Sequence, residues 1–190
     1  MPRIDSEKFY TSAIGKYGIT PQGLNWNSKL FQDIRFSVLL EMLPRDLSEI
    51  TIADAGCGFG DLYHYMQEKP KEYIGIDSLQ IMCEIASEKT SCKIIRADVC
   101  KDELPHADYY LCSGAMNVLK SFESYQFIRN CFLACGNGFI FNALHGEKES
   151  KTYNYLSTCQ IETIAKELKV GHVEIRTDYL ESDITVGFFK

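Results

Sequence analysis

The order of predicted elements indicates an α/β protein with a doubly wound, mostly parallel seven-stranded sheet and an antiparallel last strand. From residue 50 onward, short apolar runs alternate with helix-like stretches, which is typical of a parallel sheet covered on both faces. Only residues 178–182 join the last two runs, too few for a parallel crossover, so we expect a hairpin there. A glycine-rich turn follows the first run, where such sheets bind ligands.

Residues 1–49 precede the first strand and are predicted to form an N-terminal helical cap. Asp5 or Ser6 is a typical capping residue for a first helix, which we expect to end near Gly18. The rest of the chain, residues 50–190, is predicted to be the α/β core. We expect cap and core to form a single domain, because 190 residues suit one domain with a substantial interior.

A second helix in the cap is predicted to begin at Asn27 or Ser28 and to end at Leu43, before a proline. Gln32 and Arg35 are three residues apart on it and should point together away from its apolar face. That face is predicted to consist of Leu30, Phe31, Ile34, Val38, Leu39 and Met42.

The core is predicted to contain seven strands and four helices. The strands are expected at residues 50–53, 73–77, 93–97, 108–113, 139–143, 173–177 and 183–189. The helices are expected at residues 61–68, 79–88, 121–135 and 158–168. Ser78 and Thr158 are candidate capping residues, and residues 136–138 contain two glycines that should end the third of these helices.

The glycine-rich turn carries glycines at every second position, Gly56, Gly58 and Gly60, with Asp54 two residues before the first. Glycine permits positive φ angles and lets a ligand lie against bare backbone. The helix that follows offers free N–H donors at its first turn. A dinucleotide fingerprint would require a glycine where Asp61 stands, which disfavours a nicotinamide-dependent oxidoreductase.

The D-x-G-x-G-x-G pattern of residues 54–60 resembles motif I of the class I S-adenosylmethionine-dependent methyltransferases. The resemblance extends over about residues 50–190 and rests on the ordered set of motifs. It implies a Rossmann-like methyltransferase fold with S-adenosyl-L-methionine as cofactor. It also implies that the glycine loop passes under the methionine part and the ribose of that cofactor.

Polar or small residues stand at the ends of four predicted strands, where a doubly wound sheet binds its ligand. Asp77 follows Gly58 by 19 residues, the spacing at which an acid reaches ribose hydroxyls. Asp98 resembles the acid that the family places near the adenine amino group. The remaining predicted cofactor contacts are Ser78, Leu79 and Met82 after the second strand, the backbone of Val99 after the third, and Ser113 after the fourth.

The N-terminal stretch resembles an uncharacterised bacterial branch of small methyltransferases, on residues 23–28, Gln32 and Arg35. Arg35 is a candidate partner for the methionine carboxylate, or it is a surface arginine on an amphipathic helix. Trp26 is either a lid residue over the site or a hydrophobic anchor for the cap. This second resemblance does not imply a substrate for the chain.

Composition and charge limit the cellular compartment and the classes of binding partner that we expect for this chain. The start has no apolar signal-peptide core and no apolar run approaches membrane-spanning length, so the cytoplasm is the expected location. The eight cysteines form no C-x-x-C pair, which predicts reduced thiols and no metal site. Lys and Arg are scattered through a chain of net charge −6, which favours a partner other than nucleic acid or membrane.

Methyl transfer from a sulfonium needs alignment and desolvation, and a base only when the nucleophile arrives protonated. Candidate catalytic residues are Asn117 and His145, on the loops after the fourth and fifth strands. His145 is either a base near neutral pH or a solvent-exposed loop histidine.

We expect a small-molecule acceptor, since no Asn- or Asp-Pro-Pro-aromatic motif and no Pro-Cys pair follows the fourth strand. Two alternatives remain. The first is a methyltransferase that acts on RNA or protein, and the second is a non-catalytic domain that binds the cofactor.

Overall fold

The structure is a computed structural model that describes residues 5–24, 26 and 28–190. The N-terminal cap contains α1 (Ser6–Tyr17), a 3₁₀ turn (Pro21–Leu24) and α2 (Lys29–Glu41). The core begins β1 (Thr51–Ala55), α3 (Asp61–Tyr65), β2 (Glu72–Asp77), α4 (Gln80–Thr90), β3 (Lys93–Arg96) and β4 (Ala107–Ser113). It continues with a 3₁₀ turn (Ala115–Val118), α5 (Ser121–Ala134), β5 (Cys135–His145), β6 (Tyr155–Leu156), α6 (Thr158–Glu167), β7 (His172–Arg176) and β8 (Asp183–Phe189).

One mixed sheet forms the centre, with the strand order β3-β2-β1-β4-β5-β8-β7. The strands from β3 to β5 are parallel, whereas β8 runs antiparallel to both β5 and β7. The predicted fold class, with its antiparallel last strand, is therefore confirmed. The chain reverses its direction of winding between β1 and β4, so the topological switch point lies there. The two-residue β6 beside the end of β5 was not predicted.

Two apolar clusters cover the two faces of the sheet. The larger one packs α5 and α6 against β4, β5 and β8, with Phe139, Phe141 and Phe188 fully buried in it. The smaller one places Phe36 and Leu39 of α2 against the other face of the sheet. Each fully buried side chain of this size contributes about 1.5–3 kcal/mol, so the cap helix α2 is held firmly on the core.

The predicted apolar face of α2 is only partly correct. Leu30 is 66% exposed and Phe31 is also exposed, whereas Gln32 is buried. The buried amide of Gln32 is satisfied on both sides, since its Nε2 donates to Asp61 Oδ2 at 3.3 Å and its Oε1 accepts from Lys29 Nζ at 3.2 Å. The helix ends at Glu41, earlier than predicted. Gln32, on the polar side of this helix, can be buried because Asp61 and Lys29 supply hydrogen-bond partners for its amide.

Capping differs from the predictions at two helices, α4 and α6. Ser78 does not cap α4: Leu79 takes that place, and the Asp77 side chain accepts from the Leu79 N–H. Ser157 caps α6 in place of Thr158, because Gln160 completes a capping box with it. Asp5 caps α1 and Ser28 caps α2 as predicted, and the alternative cap Asn27 lies outside the described residues.

The glycines at residues 136–138 do not end a helix in a turn. The chain passes from α5 directly into β5, which begins at Cys135. Gly138 suits this strand, since a Cβ there would lie 2.7 Å from the Phe189 ring on β8. Helix α3 also ends early, at Tyr65. None of the helices in the described residues is long and apolar enough to cross a membrane.

Candidate functional site

A cleft opens at the carboxyl ends of β1, β2 and β4, over the switch point of the sheet. This is where open α/β sheets bind their ligands. Its floor is the turn after β1, its sides are the ends of the neighbouring strands, and its cover comes from the N-terminal cap. The lining includes Tyr10, Trp26, Arg35, Asp54, Gly56, Gly58, Asp77, Ser78, Leu79, Asp98, Val99, Ser113 and Asn117.

The glycine loop needs its bare backbone. Gly56 and Gly58 adopt positive φ angles of 79° and 53°. A Cβ on Gly56 would lie 2.3 Å from the Ala115 Cβ, and one on Gly58 would lie 3.1 Å from a Leu24 methyl group. The loop therefore touches the turn after β4 on one side and the cap on the other. A side chain added at Gly56 would collide with Ala115, so the glycine there allows the loop to approach the turn after β4 closely.

Asp77, at the end of β2, holds this loop in place. Its Oδ2 accepts from the Gly58 N–H at 3.1 Å, and its Oδ1 accepts from the Leu79 N–H at 3.0 Å. Burial raises the pKa of Asp77, against the lowering effect of these N–H donors. Each carboxylate oxygen has two lone pairs, so Asp77 still has capacity for ligand hydroxyls.

Asp54 lies deeper, at 3% exposure, near the end of β1. The Tyr73 hydroxyl donates to its Oδ2 at 2.5 Å. Burial raises the pKa of Asp54 to about 7, with the charges of Asp77 and Asp61 acting in the same direction and the Tyr73 bond opposing them. This carboxyl group is therefore poised to ionise when a positively charged ligand enters the cleft.

The predicted adenine contacts lie together after β2 and β3. Asp98 Oδ1 accepts a hydrogen bond from the Cys100 N–H at 3.0 Å, and its Oδ2 accepts one from Lys101 Nζ at 2.5 Å. Val99 is buried, and its carbonyl oxygen accepts from Asn130 Nδ2. Leu79 joins them in the lining. This end of the cleft pairs an acid with apolar side chains, as an aromatic base with an exocyclic amino group requires.

The opposite end of the cleft is formed by the turn after β4. Ser113 Oγ donates to Asn142 Oδ1 at 2.6 Å. Asn117 Oδ1 accepts from the Leu144 N–H at 3.1 Å. Both side chains line the cleft and are held in fixed orientations by β5.

Arg35 lines the cleft and is paired with Asp183, a residue that the sequence did not identify. Its Nε donates to Asp183 Oδ2 at 3.0 Å, and a terminal nitrogen donates to the other carboxylate oxygen. The side chains are 12% and 4% exposed. The Trp26 ring lies 4.7 Å from the Arg35 guanidinium carbon. The only available sequence signal for this pair was an acid at the start of the last strand.

Part of the cover comes from α1, which the sequence predicted as a helix without naming its contacts. Phe9 and Tyr10 project into the cleft. The pKa of Tyr10 is raised by burial, and the negative charge of Asp77 adds to this effect. Leu24 and Trp26 complete the cover, with Leu24 beside Gly58 of the glycine loop and Trp26 beside Gly114 in the turn after β4.

Two predicted site residues are not among the cleft-lining residues that the structure describes. His145 turns its Nδ1 to the Leu156 carbonyl oxygen at 2.9 Å, because β6 pairs beside the end of β5. Gly60 packs on α4, where a Cβ would lie 2.5 Å from a Thr90 methyl group. The glycine at this position therefore serves close packing of the loop on the helix.

The charges in the cleft are unbalanced toward the negative. Four aspartates line it, Asp54, Asp61, Asp77 and Asp98, whereas Arg35 is the one lysine or arginine among its described lining residues. Within the described part of the chain, no group of three or more His, Cys, Asp or Glu residues is arranged to hold a metal ion. The cleft thus suits a ligand with positive charge and hydroxyl donors.

Comparison with known families and proteins adds an independent observation. The family model of a methyltransferase domain matches residues 52–138. This segment contains the glycine loop, Asp77, Asp98 and the turn after β4. No curated protein matches the chain in sequence.

Many solved structures share the fold at low sequence identity. Human N-acetylserotonin methyltransferase in complex with SAM matches 98% of this chain and 60% of its own, with 14% identity and a TM-score of 0.72. Magnesium protoporphyrin IX methyltransferase from Synechocystis PCC 6803 with bound SAM matches 84% and 78%, with 14% identity and a TM-score of 0.66. An S-adenosylmethionine-dependent methyltransferase from Mesorhizobium loti matches 83% and 98%, with 18% identity and a TM-score of 0.63.

Proposed function

We propose that this chain, whose residues 52–138 match the family model of a methyltransferase domain, is a class I S-adenosylmethionine-dependent methyltransferase that methylates a small-molecule acceptor bound beside the glycine loop. The enzyme class and the cofactor, S-adenosylmethionine, agree with the sequence predictions. The acceptor and the roles of individual residues are our proposal.

The cradle fits this cofactor. The loop backbone at Gly56 and Gly58 lines the cleft, and we assign the space beside it to the methionine part and ribose. Asp77 would accept from the ribose hydroxyls, and Asp98 would meet the adenine amino group. The bound cofactor supplies an activated methyl group on a positively charged sulfur, which suits the four aspartates of the lining.

The observation that carries the small-molecule assignment is the cover over the cleft. Phe9, Tyr10, Leu24 and Trp26 lie across the carboxyl ends of the strands, where a macromolecular substrate would need an open groove. A nucleic-acid substrate also requires cationic contacts to phosphates. The lining offers Arg35, which Asp183 already pairs. An acceptor small enough to be enclosed fits these features better than RNA or protein.

The chain's own residues would bind, orient and desolvate the acceptor. Fixed polar groups at Ser113 and Asn117 can orient it, since β5 holds both side chains. The aromatic cover excludes water, which strengthens each of these contacts. We also propose the cytoplasm as the working compartment, because no disulfide joins any of the described cysteines.

Calorimetry with S-adenosylmethionine, S-adenosylhomocysteine and NAD tests the proposal first, on wild type, Asp77→Ala and Asp46→Ala. Asp46 is an exposed acid before β1 that bonds the Ser48 N–H, so it is a matched control away from the cleft. We expect binding of the two sulfur compounds that only Asp77→Ala weakens.

Acceptor screening then separates an enzyme from a non-catalytic binding domain. Incubation with S-adenosylmethionine and a small-molecule extract should give S-adenosylhomocysteine and a product heavier by one methyl group. Methylation of RNA or protein in place of small molecules would overturn the acceptor assignment. Cofactor binding without turnover on any of these materials would favour the non-catalytic alternative.

A further inference from the structure

The acceptor is assigned to the side of the cleft formed by the turn after β4, and this side has a defined composition. A Cβ on Gly114 would lie 3.2 Å from the Trp26 ring tip and 3.4 Å from Asn117 Nδ2. The next residue, Ala115, touches the position where a Cβ on Gly56 would stand. Trp26, Ser113, Gly114 and Asn117, which we call the acceptor wall, therefore adjoin the cradle of the cofactor's methionine part.

The amide of Asn117 has one possible orientation. Its Oδ1 accepts from the Leu144 N–H at 3.1 Å, and an amide nitrogen cannot replace it there because it carries no acceptor. Nδ2 is thereby directed toward Gly114 and the cleft. The acceptor wall thus presents an N–H donor. The ligand must offer it an oxygen or nitrogen atom with a lone pair, and this atom is either uncharged or anionic.

Anionic acceptors are disfavoured by the charges around this wall. Arg35 lies against Trp26, but Asp183 takes two of its nitrogens. The other charged residues of the described lining are four aspartates. A carboxylate or phosphate on the acceptor would meet these acids, and the described lining offers no lysine or arginine that is not already paired.

Among the cleft-lining residues that the structure describes, no side chain is placed as a base for a protonated nucleophile. His145 is turned away to Leu156, and Ser113 donates its proton to Asn142. Tyr10 keeps its proton at neutral pH, because burial and the charge of Asp77 raise its pKa. Of the acids, Asp54 accepts from Tyr73, and Asp61 accepts from Lys89 and Gln32. Asp77 accepts from two backbone N–H groups and is assigned to the ribose, and Asp98 accepts from the Cys100 N–H and from Lys101. The acceptor atom should therefore arrive with a free lone pair.

We propose that the acceptor is an uncharged pyridine-type heteroaromatic compound with a carbonyl oxygen. This inference rests on the proposed function. The ring plane of such a compound suits the aromatic surroundings, and its carbonyl accepts from Asn117 Nδ2. The ring-nitrogen lone pair forms the new bond to the methyl carbon, the carbon–sulfur electron pair stays on sulfur, and no proton leaves. The positive charge passes from sulfur to the ring nitrogen, so the aspartates of the cleft face a cation before and after transfer.

The single tryptophan of the chain, Trp26, provides a readout apart from activity. Its indole N–H gives one tryptophan signal in a ¹⁵N spectrum, recorded with S-adenosylhomocysteine bound. Four planar probes of one size are compared: pyridine-3-carboxamide, benzamide, 3-hydroxybenzamide and pyridine-3-carboxylate. We expect pyridine-3-carboxamide and benzamide to shift the Trp26 signal, and pyridine-3-carboxylate to bind at least about tenfold more weakly. With S-adenosylmethionine, mass spectrometry should show methylation of pyridine-3-carboxamide alone.

Asn117→Asp is the matched variant, since it keeps an oxygen for the Leu144 N–H and removes the N–H donor. It should weaken binding of pyridine-3-carboxamide about tenfold and leave the affinity for S-adenosylhomocysteine unchanged. Stronger binding of the carboxylate, or methylation of 3-hydroxybenzamide on its hydroxyl group, would overturn the inference while methyl transfer to small molecules stands. If no probe shifts the Trp26 signal, the inference is wrong, and the extract screen decides the proposed function separately.

Discussion

The carboxylate of Asp77 accepts a hydrogen bond from the backbone N–H of Gly58, 19 residues earlier, at 3.1 Å. The residue predicted to bind the ribose is thus also the residue that fixes the loop beneath it. Its second oxygen orients the Leu79 N–H at the start of α4. One side chain therefore connects β1, β2 and α4 at the mouth of the cleft.

Replacement of Asp77 should affect both roles. Asp77→Ala removes two backbone bonds and the predicted ribose contacts, and charge-assisted bonds are worth about 1.5–3 kcal/mol each. We expect the affinity for S-adenosylhomocysteine to fall about 100-fold or more in calorimetry. Asp77→Asn retains one acceptor oxygen, so its affinity for S-adenosylhomocysteine should lie between that of wild type and that of Asp77→Ala. Equal affinity of Asp77→Ala and wild type would contradict the assignment.

The buried acid Asp54 should make stability depend on pH. In the unfolded chain its pKa is about 3.9, whereas burial raises the folded pKa to about 7. Between these values the folded state binds more protons, so its contribution to the free energy of unfolding falls as pH rises from about 4 to 7. The loss is up to about 4 kcal/mol, and it is complete above the folded pKa.

Asp54→Asn removes this ionisation and keeps an oxygen for the Tyr73 hydroxyl. Urea unfolding at pH 5 and at pH 8 measures the effect without cofactor. The stability of the variant relative to wild type should rise between these two pH values. A constant difference would show that Asp54 has an ordinary pKa in the folded protein.

The sequence pattern was sufficient to predict the main strands of the sheet and three of the acids that line the cleft. Strand ends are marked by local changes from apolar to polar residues, and parallel strands bring those ends to one edge. Asp54, Asp77 and Asp98 therefore line the cleft as predicted. Their individual roles toward the cofactor remain predictions.

Contacts between side chains far apart in the sequence could not be predicted from local sequence patterns. Gln32 is buried because Asp61 and Lys29 satisfy its amide, which hydrophobic periodicity cannot indicate. Arg35 finds Asp183, 148 residues later. The position of His145 depends on β6, a two-residue strand too short to recognise in sequence.

The Arg35–Asp183 pair should contribute to stability through its burial. Asp183→Ala leaves the Arg35 charge without its partner, which costs about 3–5 kcal/mol in such sites. The double variant Arg35→Met with Asp183→Leu should recover most of this loss in urea unfolding. Equal destabilisation by single and double variants would contradict a coupled pair.

The same pair bears on the methionine carboxylate. Because Asp183 already occupies Arg35, we expect Arg35→Met to change the affinity for S-adenosylmethionine by less than about threefold, below the effect of one lost charge-assisted bond. Calorimetry on the folded variant measures this change. A tenfold or larger loss would restore the interpretation that Arg35 holds the carboxylate.

Helix α1 should become protected when the cofactor binds. Phe9 and Tyr10 line the cleft, so a ligand on Asp77 gives them additional contacts, and α1 opens less often. Trypsin cleavage after the exposed Lys16 should therefore slow with S-adenosylhomocysteine present. Asp77→Ala under the same conditions should show no protection, and equal cleavage rates with and without ligand in wild type would argue against closure of α1 on the cofactor.

Gly114 should separate acceptor binding from cofactor binding. Its φ of 76° is strained for any residue with a Cβ, at a cost of about 1–2 kcal/mol. The added methyl group of Gly114→Ala would press on the Trp26 ring and on Asn117 Nδ2. We expect a shifted Trp26 fluorescence maximum, a raised KM for the acceptor, and unchanged affinity for S-adenosylhomocysteine. Gly15→Ala is the control, since its Cβ meets no atom within 4 Å; a loss of cofactor affinity in Gly114→Ala would mean that this wall belongs to the cofactor site.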